Sequence, residues 1–151
     1  MIVIVDFGSQ TCHLIGRRLR DIGVATRIID PEHALQTITE LKPKGIILSG
    51  GPSSVYDEGA PHIEHKLFDL GLPILGICYG WQLTAHLLDG TVVNGHKEYG
   101  PAHLKVDGGG PLFKNVESYS QVWLSHGDTV VKMPNGFTAI GETETVKAAP
   151  A

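Results

Sequence analysis

The sequence predicts an α/β fold of three layers, a mostly parallel sheet with helices on both faces, plus an added antiparallel hairpin region. Three observations lead there. Short, continuously apolar runs alternate with segments whose apolar residues recur at helical spacing, which is how strands buried on both faces and amphipathic crossover helices read. The runs are separated by Gly, Pro and Asp turns short enough for right-handed crossovers. The character then changes after Gly90, where shorter runs are divided by Gly, Pro, Asn and Asp.

Ile2 to Val5 is the first apolar run and reads as a strand; Asp6-Phe7-Gly8-Ser9 is a turn, and Cys12, Ile15, Leu19 and Ile22 then fall on one side of a helix. The unit repeats. Val24 to Ile29 reads as strand, Pro31 to Leu41 as helix and Gly45 to Leu48 as strand. Ala60 to Leu70 follows as helix, with Ile63, Leu67 and Leu70 on one side, and Leu72 to Ile77 as strand. Trp81 to Leu88 reads as another helix. Ala102 to Val106, Gln121 to Leu124, Thr129 to Lys132 and Phe137 to Ile140 are the expected hairpin strands.

A chain of 151 residues fits one domain and is long enough to bury roughly 70% of its unfolded surface. With 42% apolar and 19% charged residues, 19 Gly and 9 Pro, it reads as a turn-rich folded domain and not a disordered chain. The net charge of −4 argues against nucleic acid as a partner. Arg17, Arg18 and Arg20 spread around a helix axis and read as a solvated face. The chain begins with a strand that meets Asp6, not with a signal peptide, and no apolar run reaches the ~18 residues of a membrane span. Cys12 and Cys78 lie far apart with no Cys-x-x-Cys, which fits a reducing compartment and makes the cytoplasm the expected location. No repeat or linker divides the chain, so residues 1–151 read as a single domain. Thr145 to Ala151 begin an element without finishing it, as in a domain shortened at its C-terminal end.

The chemistry centres on Gly76-Ile77-Cys78-Tyr79-Gly80, which follows the apolar Pro73-Ile74-Leu75 and precedes a helix. This is the spacing of a nucleophile elbow: a sharp strand-to-helix turn exposes the middle side chain, and glycines two residues away let the backbone pass. At a helix N-terminus the orphan N–H groups and the positive dipole end favour a thiolate, the reactive form of cysteine. The alternative is that Cys78 is a small buried apolar residue. A second turn, Ser49-Gly50-Gly51-Pro52-Ser53-Ser54-Val55-Tyr56, follows the preceding strand, and in open parallel sheets ligands bind outside the carboxyl ends of the strands. An acyl-transfer site needs donors for an oxyanion. The N–H after the nucleophile, that of Tyr79, is one, and the glycine loop supplies the other, assigned to Gly51. His62 and His65 are one helical turn apart but have no third ligand in view, so no metal is expected.

Together these segments resemble the class I (triad) glutamine amidotransferases, and within them the glutaminase domains of GMP synthases. The resemblance spans nearly the whole chain. It rests on Asp6-Phe7-Gly8-Ser9-Gln10, the Ser49 to Tyr56 loop with Ala60-Pro61, the Cys78 elbow with Gln82, Lys97-Glu98-Tyr99-Gly100, and Ser125-His126-Gly127-Asp128. The elbow is common to the superfamily, whereas Gly-Gly-Pro-Ser-Ser-Val-Tyr and Glu-Tyr-Gly are closer to GMP synthases. The resemblance implies that Cys78 attacks the carboxamide of L-glutamine, that Gly51 and Tyr79 hold the oxyanion, and that ammonia leaves before water hydrolyses the thioester. It also implies that Gln82 and a loop of Ser125, His126, Gly127 and Asp128 grip the α-amino and α-carboxylate groups. Lys97 to Gly100 reads as a turn near the mouth of the site. The ammonia would serve amination of XMP to GMP by a GMP synthase ATP-pyrophosphatase domain or subunit, and ATP and Mg belong to that partner, not to this chain.

Two departures stand out. Trp81 occupies a position where the family usually has methionine, with an effect on packing expected and no more. The family draws its base and orienting acid from a His-Pro-Glu motif, which these 151 residues do not contain. His62-Ile63-Glu64 and His96-Lys97-Glu98 lie in other segments, and His126 is assigned to binding. The chain as given is therefore expected to be inactive or nearly so. Other readings are a non-catalytic glutamine-binding module and an amidotransferase of another pathway. Origin in a fused enzyme and origin in a separate subunit both stay open.

Overall fold

The computed structural model describes residues 1–107 and 110–144, with residues 95–98 described in backbone alone; the reading of Thr145 to Ala151 lies outside the described residues. The chain forms two compact units, 1–87 and 88–151.

In the first unit, strands β1 (Ile2–Val5), β2 (Thr26–Ile29), β3 (Gly45–Leu48) and β4 (Ile74–Gly76) make a parallel sheet in the order β2-β1-β3-β4. Val5 pairs with Ile29 on one side and Leu48 on the other, and Leu48 pairs with Gly76. Successive side chains point to opposite faces, so β1 feeds two cores. Val3 and Val5 join Ile38, Ile46, Leu48, Leu67 and Tyr79 on one face. Ile4 joins Cys12 and Ile47 on the other, where Ile15 and Leu19 cover it. All of β3 is buried, which explains its unbroken apolar run.

Helices α1 (Cys12–Asp21), α2 (Ala34–Leu41) and α3 (Tyr79–Leu87) complete the unit. The expected Pro31 to Leu41 helix is a 3₁₀ turn, Pro31–His33, followed by α2. The expected Ala60 to Leu70 helix is a correction: only His65–Leu70 is helical, and it is 3₁₀. Pro61 restricts Ala60 and lacks a donor, Glu64 is extended at φ −71° and ψ 136°, and the Pro61 carbonyl is held from outside by the Tyr79 hydroxyl at 2.6 Å. Ile63 and Leu67 are nonetheless buried as the periodicity requires.

The second unit is an antiparallel sheet, β5 (Thr91–Val106), β6 (Tyr119–Lys132) and β7 (Gly141–Glu142), in the order β6-β5-β7. The separate short strands expected at Gln121 to Leu124 and Thr129 to Lys132 are thus one strand, and Phe137 to Ile140 is not a strand. Two further corrections follow. Lys97 to Gly100 is not a turn but part of β5, and Ser125 to Asp128 is not a loop but part of β6. The two segments pair, Glu98 opposite His126 and Tyr99 opposite Ser125, next to a β5 bulge between Asn94 and Glu98. The irregularity takes up residues 95–97 of β5 against Gly127 of β6, and Glu98, Tyr99 and Gly100 continue the ladder where the sequence reading expected a turn.

Among the described residues no helix is long and apolar enough to cross a membrane.

Candidate active site

The first unit brings two turns together at the carboxyl ends of β3 and β4. Cys78 lies between β4 and α3 with φ +50°, a left-handed conformation that costs an L-residue roughly 1–2 kcal/mol. Such strain, seen in a cysteine, marks a turn fixed by its surroundings. The frame is visible in the backbone. The Ile77 N–H donates to the Leu48 carbonyl at 2.9 Å, and the Gly80 N–H donates to the Ser49 and Ile77 carbonyls at 3.0 Å. The Trp81 and Gln82 amides close on the Cys78 carbonyl at 3.0 Å.

The flanking glycines are needed for close approach. A methyl group at Gly76 would lie 2.9 Å from the Trp81 backbone nitrogen, and one at Gly80 would overlap the Leu48 carbonyl. The elbow is therefore pressed against β3. Across from it, a methyl group at Gly50 would lie 3.6 Å from Cys78 Cβ, and one at Gly51 would lie 2.5 Å from the Phe7 carbonyl oxygen. The glycine loop thus runs between the β1 loop and the elbow.

Tyr79 has two separable roles. Its main-chain N–H is the amide next to Cys78. Its ring is 1% exposed, tilts against Phe7 at 5.2 Å and anchors the Pro61 carbonyl. Burial pushes its phenol pKa up, with Asp57 adding to the effect, so the hydroxyl remains a donor. Gln82, one turn further along α3, is 5% exposed despite its polar side chain.

The two cysteines differ in setting. Cys78 is partly exposed and Cys12 is buried. Burial first, and then Asp6, push the Cys12 thiol from 9.0 to about 11, so it stays a neutral thiol packed beneath β1.

Cys78, Tyr79, Gly50, Gly51 and Gln82 all belong to the first unit. Ser125, His126, Gly127 and Asp128 belong to the second, on β6, with Asp128 buried and paired in register with Asn94. Among the described residues no group of three His, Cys, Asp or Glu is arranged to hold a metal ion. The sequence reading gave Ser49 no role of its own. Its signal was a polar residue directly after four apolar ones in β3, and it proves fully buried.

The glutamine amidotransferase class-I family model matches residues 3–149. A GMP synthase (glutamine-hydrolyzing) of Prochlorococcus marinus strain NATL1A is 50% identical over 151 residues, covering 98% of this chain and 29% of that protein. One of Bacillus pumilus is 50% identical over 139 residues, covering 91% and 27%. The chain therefore spans less than a third of the length of these relatives. A Thermoplasma acidophilum structure described as that of a GMP synthase subunit superposes with a TM-score of 0.84 at 31% identity, over 97% of this chain and 74% of that one. A glutamine amidotransferase of Thermotoga maritima shares the fold, with a TM-score of 0.73 at 20% identity, over 96% and 67%. An elbow of this geometry and a family match over nearly every residue describe the same chain, which belongs to the class I glutamine amidotransferases.

Proposed function

We propose that this chain is the glutaminase module of a GMP synthase. Cys78 attacks the side-chain carboxamide of L-glutamine, and the amides of Gly51 and Tyr79 bind the oxyanion. Ammonia departs, and water hydrolyses the glutamyl thioester. The observation that carries the reading is the strained Cys78, held at φ +50° beside the glycine loop. The relatives' names and the 50% identity support the choice of GMP synthase over other amidotransferases.

Gln82 and the Ser125 to Asp128 segment are proposed to hold the α-amino and α-carboxylate groups. The ammonia is consumed by a GMP synthase ATP-pyrophosphatase domain or subunit that aminates XMP, and ATP and Mg act there. The fraction of the relatives' length that this chain spans leaves room for such a domain in them. The setting is the cytoplasm.

These 151 residues contain no His-Pro-Glu, and general acid–base transfer contributes roughly 10²- to 10⁴-fold. The chain alone is accordingly proposed to capture glutamine-like electrophiles while turning over little glutamine. The test is exposure of the chain to a chloromethyl ketone analogue of L-glutamine, with mass spectrometry at Cys78. A glutaminase module forms an adduct on Cys78 that added L-glutamine slows, whereas a glutamine-binding module without a nucleophile forms none.

A further inference from the structure

Ser49 sits where three parts of the site meet. Its residue is fully buried. Its backbone N–H donates to the Val5 carbonyl at 3.1 Å, and its carbonyl accepts the Gly80 N–H at 3.0 Å. The main chain at Ser49 therefore joins β1 to the nucleophile elbow. Its hydroxyl accepts the Phe7 N–H at 3.0 Å and donates to the Gly50 carbonyl at 2.9 Å. The side chain thus ties the β1 loop to the peptide that immediately precedes the Gly51 nitrogen.

The geometry explains why a hydroxyl stands here. The Phe7 amide lies just past the end of β1, where the sheet no longer offers it an acceptor, and a buried amide without one is costly. A hydroxyl can accept one bond and donate another. Because the Gly50 carbonyl and the Gly51 N–H belong to one planar peptide unit, fixing the carbonyl fixes the direction of the N–H. Gly51 has no side chain to resist rotation, and a methyl group there would meet the Phe7 carbonyl oxygen first.

We propose that Ser49 is a positioning residue for the oxyanion site, its hydroxyl setting the orientation of the Gly50–Gly51 peptide relative to the Cys78 elbow. This rests on the reading of Gly51 as an oxyanion donor. Ser49 does not touch substrate; it acts through the peptide it holds.

The test compares two reagents on Cys78 in the 151-residue chain. One is a chloromethyl ketone analogue of glutamine. The Cys78 sulfur, its proton gone to solvent, adds to the ketone carbon while the C=O pair moves onto oxygen as an alkoxide. The sulfur then bonds to the methylene carbon as chloride leaves with its bonding pair, and the alkoxide pair re-forms the carbonyl as the bond between sulfur and the ketone carbon breaks. The other reagent, iodoacetamide, reacts by direct displacement of iodide and builds no oxyanion. The readout is the ratio of the two rate constants at residue 78, located by peptide mass spectrometry, for variants whose circular dichroism matches that of the folded wild type.

Wild type should show a ratio well above that of free cysteine. Ser49→Ala should lower it by roughly 10- to 100-fold, the scale of a misplaced oxyanion donor, with the iodoacetamide rate within about threefold of wild type. Ser49→Cys, close in volume but a weak donor and acceptor, should fall in between and carries the test alone if Ser49→Ala does not fold. An unchanged ratio in the variants overturns the role of Ser49. A wild-type ratio no higher than that of free cysteine overturns the glutaminase reading beneath it.

Discussion

Gly50 and Cys78 face each other so closely that a methyl group on the first would sit 3.6 Å from Cβ of the second. That is ordinary contact distance, so Gly50→Ala fits the fold but occupies space beside Cys78. Gly80 differs, since a methyl group there overlaps the Leu48 carbonyl. Gly50→Ala should keep stability within about 1 kcal/mol while slowing Cys78 alkylation by the chloromethyl ketone about tenfold or more, and Gly80→Ala should cost about 3 kcal/mol or more. Urea denaturation and alkylation rates separate the two.

The strain at Cys78 gives a stability prediction independent of chemistry. Residues with a Cβ resist positive φ and glycine does not. Cys78→Gly should therefore be more stable than Cys78→Ala by about 1 kcal/mol, which urea unfolding midpoints at constant slope will show. Equal midpoints would mean the turn relaxes when the sulfur is removed.

Cys12 predicts a pH effect. Its folded pKa, about 11 against an ordinary 9.0, keeps a proton in the folded chain that the unfolded chain releases. The associated stability is complete below pH 9 and is lost as pH rises from 9 through 11, with a magnitude of roughly 1–3 kcal/mol. Comparison of wild type with Cys12→Ala between pH 8 and pH 11 should show the wild type losing stability more steeply. In native chain at neutral pH a disulfide reagent should modify Cys78 and leave Cys12 until denaturant is added.

Glutamine turnover by the 151 residues alone should be about 10²-fold or more below that of a complete class I glutaminase, since no His-Pro-Glu supplies the base. Steady-state ammonia release is the measurement. A comparable rate would direct attention to His126 as the base.

Where the sequence was readable, local pattern and tertiary demand agreed. The unbroken run Gly45 to Leu48 announced a strand buried on both faces, and Gly76, Cys78 and Gly80 announced the elbow, because each glycine answers a specific backbone contact. The failures came where distant residues decide. Ala60 to Glu64 has helical spacing but is not helical, with Glu64 extended and the Pro61 carbonyl taken by the Tyr79 hydroxyl. Lys97 to Gly100 and Ser125 to Asp128 look like turns by composition, yet they lie opposite one another in a sheet whose register the sequence does not display. Ser49 showed its position but not its two hydrogen bonds, since its partners Phe7 and Gly50 are brought to it by the parallel pairing of β1 and β3.

The central claim is that Cys78 is the nucleophile for a glutamine-shaped electrophile. The most direct measurement treats the native chain with the chloromethyl ketone analogue of glutamine and maps the adduct by mass spectrometry, with Cys78→Ala in parallel. The account predicts one adduct, on Cys78, formed faster than with free cysteine, slowed by added L-glutamine and absent from Cys78→Ala. Labelling at Cys12 instead, or a Cys78 adduct that glutamine does not slow, would contradict it.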